Sequence, residues 1–230
     1  SSRGLLWRLE GIEIPNPNHF SDGQGGSGGA FSAITSNVID NFDFFTGAFP
    51  AEYGNAFSGV MDLNLRKGNS DKREYAFQTG MIGAEISMEG PFTKRSDASY
   101  LFNARYTSFK FLNDLKIIDL EETNVAPSTR DLVFNINLPL RKAGTINFFG
   151  LLASNRIGKT VVRDTSSWET LSDRWEEMGL QSSGTFGAKY LYTIPDAKTY
   201  LKSVIAYSYY SDSWYEGYVD SSYIRTNNYS

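Results

Sequence analysis

The sequence predicts an all-β-dominated fold, in which part of a membrane-spanning antiparallel β-barrel follows a small N-terminal α+β unit. Three observations lead to this prediction. From Arg73 onward, apolar and polar residues alternate in segments of about ten residues. Short and long connections alternate between these segments, and tyrosine recurs near the segment ends. The first 68 residues lack this rhythm and contain a glycine-rich loop.

Composition narrows the function classes. The chain has 230 residues, a net charge of −4 and 15% aromatic residues, so it is neither a disordered tail nor a basic nucleic-acid-binding domain. It has no cysteine, which excludes disulfides and thiolate metal sites. No apolar run reaches the about 18 residues of a transmembrane helix, whereas a barrel strand needs no such run. The N-terminus lacks the pattern of a signal peptide, so we expect a piece of a longer protein.

The N-terminal unit is predicted from short strands and turn signals. A strand over 5–14 ends at Pro15 and Pro17, and a glycine loop follows over 21–29. Further predicted elements are a short helical turn within 33–41 and strands over 42–46 and 59–66. These residues are too few for a complete domain, so we expect an incomplete α+β unit.

Alternation with period two predicts the strands of the wall. The apolar positions include Tyr100, Phe102, Ala104 and Tyr106, then Leu132, Phe134, Ile136 and Leu138, and later Leu201, Ile205, Tyr207 and Tyr209. The glycines on either side of Met81 and Ile82 predict a tight hairpin. Seven strands result, at about 73–81, 83–91, 99–109, 131–140, 145–155, 179–193 and 200–211.

A soluble β-sandwich also alternates, and the spacing of the connections favours the barrel. The connections 93–98, 141–144 and 196–199 are short, whereas 110–129 and 157–177 are long, as in outer-membrane barrels. An odd number of strands would leave two open edges in lipid. We therefore expect more wall to follow Ser230.

Two glycine motifs have a weaker functional interpretation than a structural one. Gly23 to Gly28 matches the dinucleotide-binding pattern G-x-G-x-x-G, but a proline-containing segment precedes it instead of a buried strand. Gly25 to Gly29 matches the nucleophile elbow G-x-S-x-G, but the only histidine, His19, lies upstream rather than downstream. A flexible loop explains both patterns.

No other residues suggest chemistry. His19 lacks further nitrogen or sulfur donors for a metal ion, and it is expected to cap or pack a loop, with ligand contact as the alternative. No carboxylate pair is placed for acid–base catalysis. We therefore expect no enzymatic activity, no cofactor and no bound metal.

The segment from Asn41 to Gly68 resembles the end of the plug domain of TonB-dependent outer-membrane receptors. The resemblance rests on strand 42–45, the turn Gly47-Ala-Phe-Pro-Ala-Glu-Tyr-Gly54, the step Ser58-Gly-Val-Met61 and strand 62–67. Upstream, Leu6-Trp-Arg-Leu-Glu-Gly-Ile-Glu-Ile-Pro15 is similar to the plug strand Leu-x-Asp-Gly-x-Pro, with Glu10 in place of aspartate. The resemblance is greatest to the branch that includes glycan and polymer importers.

This resemblance implies a function and a division of the chain. Residues 1–68 would be the C-terminal part of the plug, and residues 69–230 the first strands of a barrel of about 22 strands. The implied function is a receptor and transporter of the cell outer membrane, which takes up a nutrient ligand with energy from the TonB–ExbB–ExbD complex. A surface lipoprotein lid and outer-membrane lipid are the other implied partners.

Two groups of site residues follow from the same model. Ligand contacts at the apex of the plug are expected from Asn16, Asn18, His19, Phe20 and Asp22. Ion pairs between plug and wall are expected from Arg8, Glu52 and Arg66, because an unpaired buried charge is costly. The alternatives are a non-transporting plugged-barrel subunit of an outer-membrane assembly or secretion complex, and a secreted β-sandwich adhesin.

Overall fold

A computed structural model describes residues 4–21, 28–47, 49–94, 97–118, 124–195, 198–222 and 224–229. The strands of the N-terminal part are β1 (Leu5–Leu9), β2 (Ile12–Ile14), β3 (Asn18–His19), β4 (Phe31–Ser32), β5 (Ile39–Phe45) and β6 (Gly59–Leu65). The strands that follow are β7 (Glu74–Gly80), β8 (Gly83–Pro91), β9 (Ser99–Ser108), β10 (Asn124–Pro139), β11 (Thr145–Lys159), β12 (Trp175–Thr193), β13 (Tyr200–Val219) and β14 (Arg225–Tyr229). One short helix, α1 (Lys110–Asp114), lies between β9 and β10.

The described strands form three sheets. A four-stranded sheet has the order β2-β1-β6-β5, and β3 pairs with β4 in a small hairpin. The other eight strands form one antiparallel sheet in sequence order, from β14 to β7. In the described part of the chain this large sheet is open, with β7 and β14 at its two edges.

The N-terminal sheet differs from the prediction at its first strand. Residues 5–14 form two antiparallel strands, β1 and β2, because the chain turns at Glu10 and Gly11. Both residues have positive φ, +55° and +92°, which suits a two-residue hairpin turn. The predicted strands over 42–46 and 59–66 are confirmed as β5 and β6. Strand β6 lies between β5 and β1, pairing antiparallel with the first and parallel with the second.

The seven predicted strands of the large sheet are present, and the hairpin between Gly80 and Gly83 is confirmed. Strands β10 to β13 are longer than predicted, since the ladder of backbone hydrogen bonds continues beyond the alternating segments. An eighth strand, β14, also pairs with β13. The odd strand count was therefore wrong for this chain.

The two faces of the large sheet have opposite character. On the outer face, Phe77, Ile205 and Tyr207 are 70%, 76% and 64% exposed. On the inner face, Asn103, Asn135 and Thr185 are each only 1% exposed. The inner face also carries buried apolar side chains, but a water-soluble sheet does not normally expose an outer face of large apolar residues such as this one.

The N-terminal sheet packs against the inner face of the large sheet. Their shared apolar core contains Leu9, Ile14, Val38, Leu63 and Leu65 from the N-terminal part and Leu101, Val133, Phe149 and Leu151 from the large sheet. The chain passes from one sheet to the other at Gly68, where φ is +79° and a Cβ would lie 2.3 Å from the Tyr100 carbonyl oxygen. Only glycine permits this close approach.

Within the described residues, the structure contains no helix with the length and hydrophobicity needed to cross a membrane.

Candidate functional site

The junction between the N-terminal part and the large sheet has two polar ends. At one end of the large sheet the connections 92–98, 140–144 and 194–199 are short, and we name it the short-turn end. At the other, the long-loop end, β9–β10 and β11–β12 are joined by the longer connections 109–123 and 160–174. Polar side chains from the N-terminal part meet the inner face at both ends.

At the long-loop end, Asp131 is the buried centre of a charged cluster. Its Oδ2 atom accepts hydrogen bonds from Nε and Nη2 of Arg105 at 2.9 and 2.7 Å. Arg105 also donates to the carbonyl oxygen of Ser32 in β4. The other carboxylate oxygen of Asp131, Oδ1, lies 2.5 Å from Nε2 of His19 in β3. The Asp131 carboxylate of the large sheet therefore contacts β3 through His19 and is connected to β4 through Arg105.

Neighbouring strands extend this cluster sideways. Asn155 Nδ2 lies 3.5 Å from His19 Nδ1 and donates to Gln181 Oε1 at 3.0 Å. Gln181 Nε2 in turn lies 3.3 Å from Ser21 O and 3.3 Å from Asp212 Oδ2. We name the six side chains Arg105, Asp131, Asn155, Gln181, Asp212 and His19 the polar belt. It crosses five consecutive strands, β9 to β13.

The hairpin that carries His19 is also held by its backbone. Ala30 donates to the carbonyl oxygen of His19 at 3.0 Å, and Ala33 donates to that of Pro17 at 2.8 Å. The His19 side chain is 2% exposed and that of Asp131 is 1% exposed. The cavity beside the ring is about 10 Å³, which is no larger than one water molecule requires. The His19 ring is thus occupied in docking the hairpin.

At the short-turn end, Glu10 joins three elements. Its carboxylate accepts a hydrogen bond from the Leu65 amide at 2.7 Å and forms an ion pair with Lys189 of β12. The side chain of Glu10 is 2% exposed, so its charge needs both partners. Glu10 therefore links the β1–β2 turn to β6 and to the large sheet.

The three residues predicted to form ion pairs across the junction lie in different places. Arg66 reaches the wall, with its Nη2 atom 2.9 Å from Glu89 Oε1 in β8. Arg8 instead pairs within its own sheet, with its Nη1 atom 3.5 Å from Asp62 Oδ2 and its guanidinium over the Tyr53 ring. For Glu52 the structure shows no salt bridge to any of the residues it describes.

The residues predicted to contact a ligand also lie in different environments. Asn16 and Asn18 are half-buried and hydrogen-bonded to each other, with Asn18 Nδ2 2.9 Å from Asn16 Oδ1. Phe20 is half-buried beside them, at a positive φ of +54°. His19 is turned into the wall, away from solvent. Asp22 lies outside the described residues.

Asp62, in β6, combines a shifted carboxyl pKa with an oxygen atom that lacks a hydrogen-bond partner among the described residues. Burial raises the pKa of its carboxyl, and the Arg8 guanidinium offsets this only in part. Its Oδ1 atom is buried without a hydrogen-bond partner among the described residues. Its charge is therefore less favourable in the folded state than in water.

Sequence reasoning named His19 and Arg66 as candidates, but it did not name Glu10 or the residues that contact these three side chains. Asp131, Asn155, Gln181, Lys189 and Glu89 all lie on the inner face of wall strands. The available signal was a charged or amide residue at the polar positions of an alternating strand. Nothing local indicates which such residue meets His19, since His19 and Asp131 are 112 positions apart.

Chemically, this arrangement docks one sheet on another. In the part of the chain that the structure describes, no group of three histidine, aspartate or glutamate side chains is placed to hold a metal ion. The buried charges face each other and backbone carbonyls, and the cavity beside His19 has no room for a substrate.

Comparison of the sequence with protein-family models and with curated proteins yields no match. Among solved structures, the fold is similar to a mutant of the ferric enterobactin receptor PfeA from Pseudomonas aeruginosa, with a TM-score of 0.50 and 14% identity over 95% of this chain. A second mutant and a complex of the same receptor with BCV-L6 have TM-scores of 0.48 and 0.46, at 11% and 12% identity, again over 95% of this chain. The chain spans 34% of the length of each of these receptor chains.

The similarity to the first structure shows the fold alone. The described part of the chain has an all-β fold that is similar to part of this receptor.

Proposed function

We propose that this chain is part of an outer-membrane receptor that takes up a nutrient ligand through a plugged β-barrel, with energy from the TonB–ExbB–ExbD complex. Residues 1–68 are the C-terminal part of the plug, and residues 69–230 are the first strands of the barrel wall. The protein has no enzymatic role in this proposal. The glycan- and polymer-importing branch, with a surface lipoprotein as lid, is the form that the motifs around Tyr53 favour.

The observation that carries the proposal is the exposed, apolar outer face of the large sheet, which lies opposite an inner face with buried polar side chains. An outer face with Phe77, Ile205 and Tyr207 largely exposed suits contact with lipid, and a polar inner face suits the lumen of a barrel. In a secreted β-sandwich the large apolar side chains would face the second sheet. Here that position holds Asn103, Asn135 and Thr185 along with a small apolar core.

The position of the N-terminal sheet supports the plug assignment. It packs on the inner face and is tied to the wall at both ends, through His19 and Glu10. A folded unit in this place would close the lumen of a wide barrel. The similarity of fold to the ferric enterobactin receptor is consistent with this arrangement.

For the ligand site we propose the surface beside the β3–β4 hairpin, at the long-loop end. Asn16, Asn18 and Phe20 are its candidate contacts, together with Asp22, while His19 holds the hairpin in place. In the natural protein, the double variant Asn16→Ala and Asn18→Ala should weaken ligand binding and leave barrel assembly intact. Asn113→Ala, in the helix between β9 and β10, is the matched control.

The first experiment tests the location. Membranes of cells that produce the natural protein are separated into inner and outer fractions, and the protein should be found in the outer fraction. Recovery as a soluble, monodisperse protein without detergent would instead indicate the secreted adhesin.

The second experiment tests energised uptake. A strain without the gene is grown on a panel of single limiting nutrients that includes iron chelates, glycans and polymers, beside a strain without TonB. A growth defect shared by both strains on one nutrient supports the proposal. An outer-membrane protein whose loss affects no nutrient, but disturbs assembly or secretion of other proteins, would indicate the non-transporting subunit.

A further inference from the structure

Charge is divided unevenly between the two ends of the large sheet. At the short-turn end, the segment 66–73 and the three short connections together contain nine basic and three acidic residues. At the long-loop end, the connections that join β7 to β8, β9 to β10, β11 to β12 and β13 to β14 together contain four basic and eight acidic residues. The net charge of −4 for the whole chain therefore conceals one end with basic connections and one with acidic connections.

We propose that the short-turn end binds the headgroups of anionic phospholipids, with Arg141 and Lys142 as its central contacts. The inference rests on the membrane-spanning wall of the proposed function, and it adds the chemical class of lipid that meets one end of that wall. It does not depend on transport. Since the short turns of an outer-membrane barrel lie on the periplasmic side, the inference concerns the periplasmic leaflet.

The turn between β10 and β11 presents two cations to the solvent. Arg141 and Lys142 are both exposed, and the connection 140–144 contains no acidic residue. Lys94 and Lys198, in the neighbouring short connections, are exposed as well. Within the described residues, none of these four side chains takes part in an ion pair. Their charges are therefore available to an anion outside the chain.

Exposed apolar side chains of the outer face lie next to these cations in the chain. Leu140 directly precedes Arg141, and Phe92 lies two residues before Lys94. Both Leu140 and Phe92 are exposed. The cations thus begin where the apolar outer face ends, which is the position of a headgroup layer beside the hydrocarbon of a membrane.

Aromatic rings mark the same level of the sheet. The Tyr190 hydroxyl donates to the carbonyl oxygen of Ala143 at 2.7 Å, so it holds the basic turn against the outer face. The Tyr190 ring stacks with that of Tyr192, at a centroid distance of 6.5 Å, and Phe92 pairs with Tyr100 at 5.3 Å. Tyrosine is enriched where a membrane protein crosses the interface between lipid and water. The basic turn therefore lies beside an aromatic belt.

The cations and the apolar side chains together suit a lipid. A phospholipid presents its phosphate next to acyl chains and can meet Arg141 and Leu140 at once, whereas an acidic peptide would set its charges against Leu140. A zwitterionic headgroup offsets its phosphate with its own cation, so an anionic headgroup is the better partner. Each Lys or Arg near an anionic membrane surface strengthens binding to it by about fivefold.

Photocross-linking at single positions tests the proposal. The natural protein is reconstituted into vesicles with equal amounts of phosphatidylglycerol and phosphatidylcholine that have the same acyl chains. The photoreactive residue p-benzoylphenylalanine replaces either Leu140, beside the basic turn, or Ile205, which is exposed on the outer face away from it. Mass spectrometry then gives the ratio of phosphatidylglycerol to phosphatidylcholine adducts. We expect this ratio to be about fivefold higher at position 140 than at position 205.

Two double variants with the same change of charge identify the cations responsible. Arg141→Gln with Lys142→Gln should lower the ratio at position 140 to that at position 205. Lys110→Gln with Lys116→Gln, at the long-loop end, should leave the ratio at position 140 unchanged. An unchanged ratio in the first double variant, or an equal fall in both, would overturn the proposal.

Salt and soluble anions separate a lipid surface from other anion sites. Raising the salt concentration from about 0.1 M to about 1 M should lower the ratio at position 140, because the screening length falls from about 10 Å to about 3 Å. Inorganic phosphate and hexaglutamate should lower it no more than sodium chloride of the same ionic strength. A larger fall with hexaglutamate would indicate a surface for acidic peptides, and one with phosphate would indicate a site for the free ion. Either result would overturn the proposal.

The same experiment distinguishes failure of the inference from failure of the proposed function. Lipid adducts at both positions with equal ratios would contradict the preference for anionic lipid and leave the membrane-spanning wall in place. No lipid adduct at either position would contradict the wall itself, and with it the proposed function.

Discussion

Ile205 and Ala206 are neighbours in β13, and they point to opposite faces of the large sheet. Ile205 belongs to the outer face, where Phe77, Ile205 and Tyr207 are largely exposed. Ala206 belongs to the inner face, which holds Asp131 and Lys189 together with their partners His19, Arg105 and Glu10. The two faces thus differ: one exposes large apolar side chains, and the other holds buried charges that are paired across the junction.

The difference shows that burial alone does not decide where a charge can lie. The side chains of Asp131 and Glu10 are only 1% and 2% exposed. Their burial is compensated because each meets an opposite charge and a hydrogen-bond donor from another element. Four changes test this comparison, in decreasing order of expected effect.

The largest effect is expected from Asp131→Ala on the inner face. It leaves the half-buried Arg105 beside Ser32 without its counter-charge and removes the acceptor of the buried His19. The expected loss is about 3–5 kcal/mol in the free energy of unfolding of the natural protein in detergent, measured by denaturant titration. Asp114→Ala, which breaks the exposed pair with Lys110, should give no measurable loss. Equal effects of the two variants would contradict the central role of Asp131.

A lysine at neighbouring positions of β13 tests the outer face. Ile205→Lys should cost about 2–4 kcal/mol when the natural protein folds into lipid vesicles, since a cation would face the hydrocarbon. Ala206→Lys places the same charge on the inner face, where Ala206 is exposed, and should be tolerated. The comparison fails if both variants fold equally well into lipid.

The pair at the short-turn end is tested by a double-mutant cycle. Glu10→Gln and Lys189→Met should each cost about 1–3 kcal/mol, because each leaves one charge without its partner. The double variant should lose less than the sum of the two, with a coupling of about 0.5–3 kcal/mol. Denaturant titration measures all three variants, and additive losses would mean that the two charges do not interact.

The smallest effect on stability is expected at Asp62. The raised pKa of its carboxyl decides whether stability increases or decreases with pH. Since burial raises the pKa of this carboxyl in the folded state, the folded protein binds more protons than the unfolded chain between the ordinary and the raised value. The free energy of unfolding therefore decreases as pH rises through that window. Asp62→Asn, which keeps the shape but cannot titrate, should become more stable relative to the wild type as pH rises from about 4 to about 7. Thermal melting across this range measures the difference, and a constant difference would contradict the shift.

Much of the large sheet could be predicted from local pattern. The alternation from Tyr100 to Tyr106 and from Leu132 to Leu138 identified strands and their two faces, and the glycines around Met81 identified a hairpin. The strand ends were harder to predict, because β10 to β13 extend into residues without alternation, where pairing with a neighbour maintains the strand. The eighth strand, β14, was missed for the same reason.

The candidate site was less predictable than the fold. Arg66 was expected to reach the wall and lies beside Glu89, whereas Arg8 was assigned to the same role and pairs with Asp62 in its own sheet. Arg8 lies within β1, and Arg66 directly follows the last residue of β6. Their partners depend on which strand lies beside them after folding.

The sequence by itself determined that an alternating wall follows a small N-terminal unit, because side-chain alternation and turn chemistry act over a few residues. Only the tertiary structure decided that His19, Asp131, Asn155 and Gln181 belong to the same polar belt. These residues come from four separate elements, and a shift of one residue in the register of any strand would turn its side chain to the other face. Long-range register, rather than local preference, therefore places the charges at the junction.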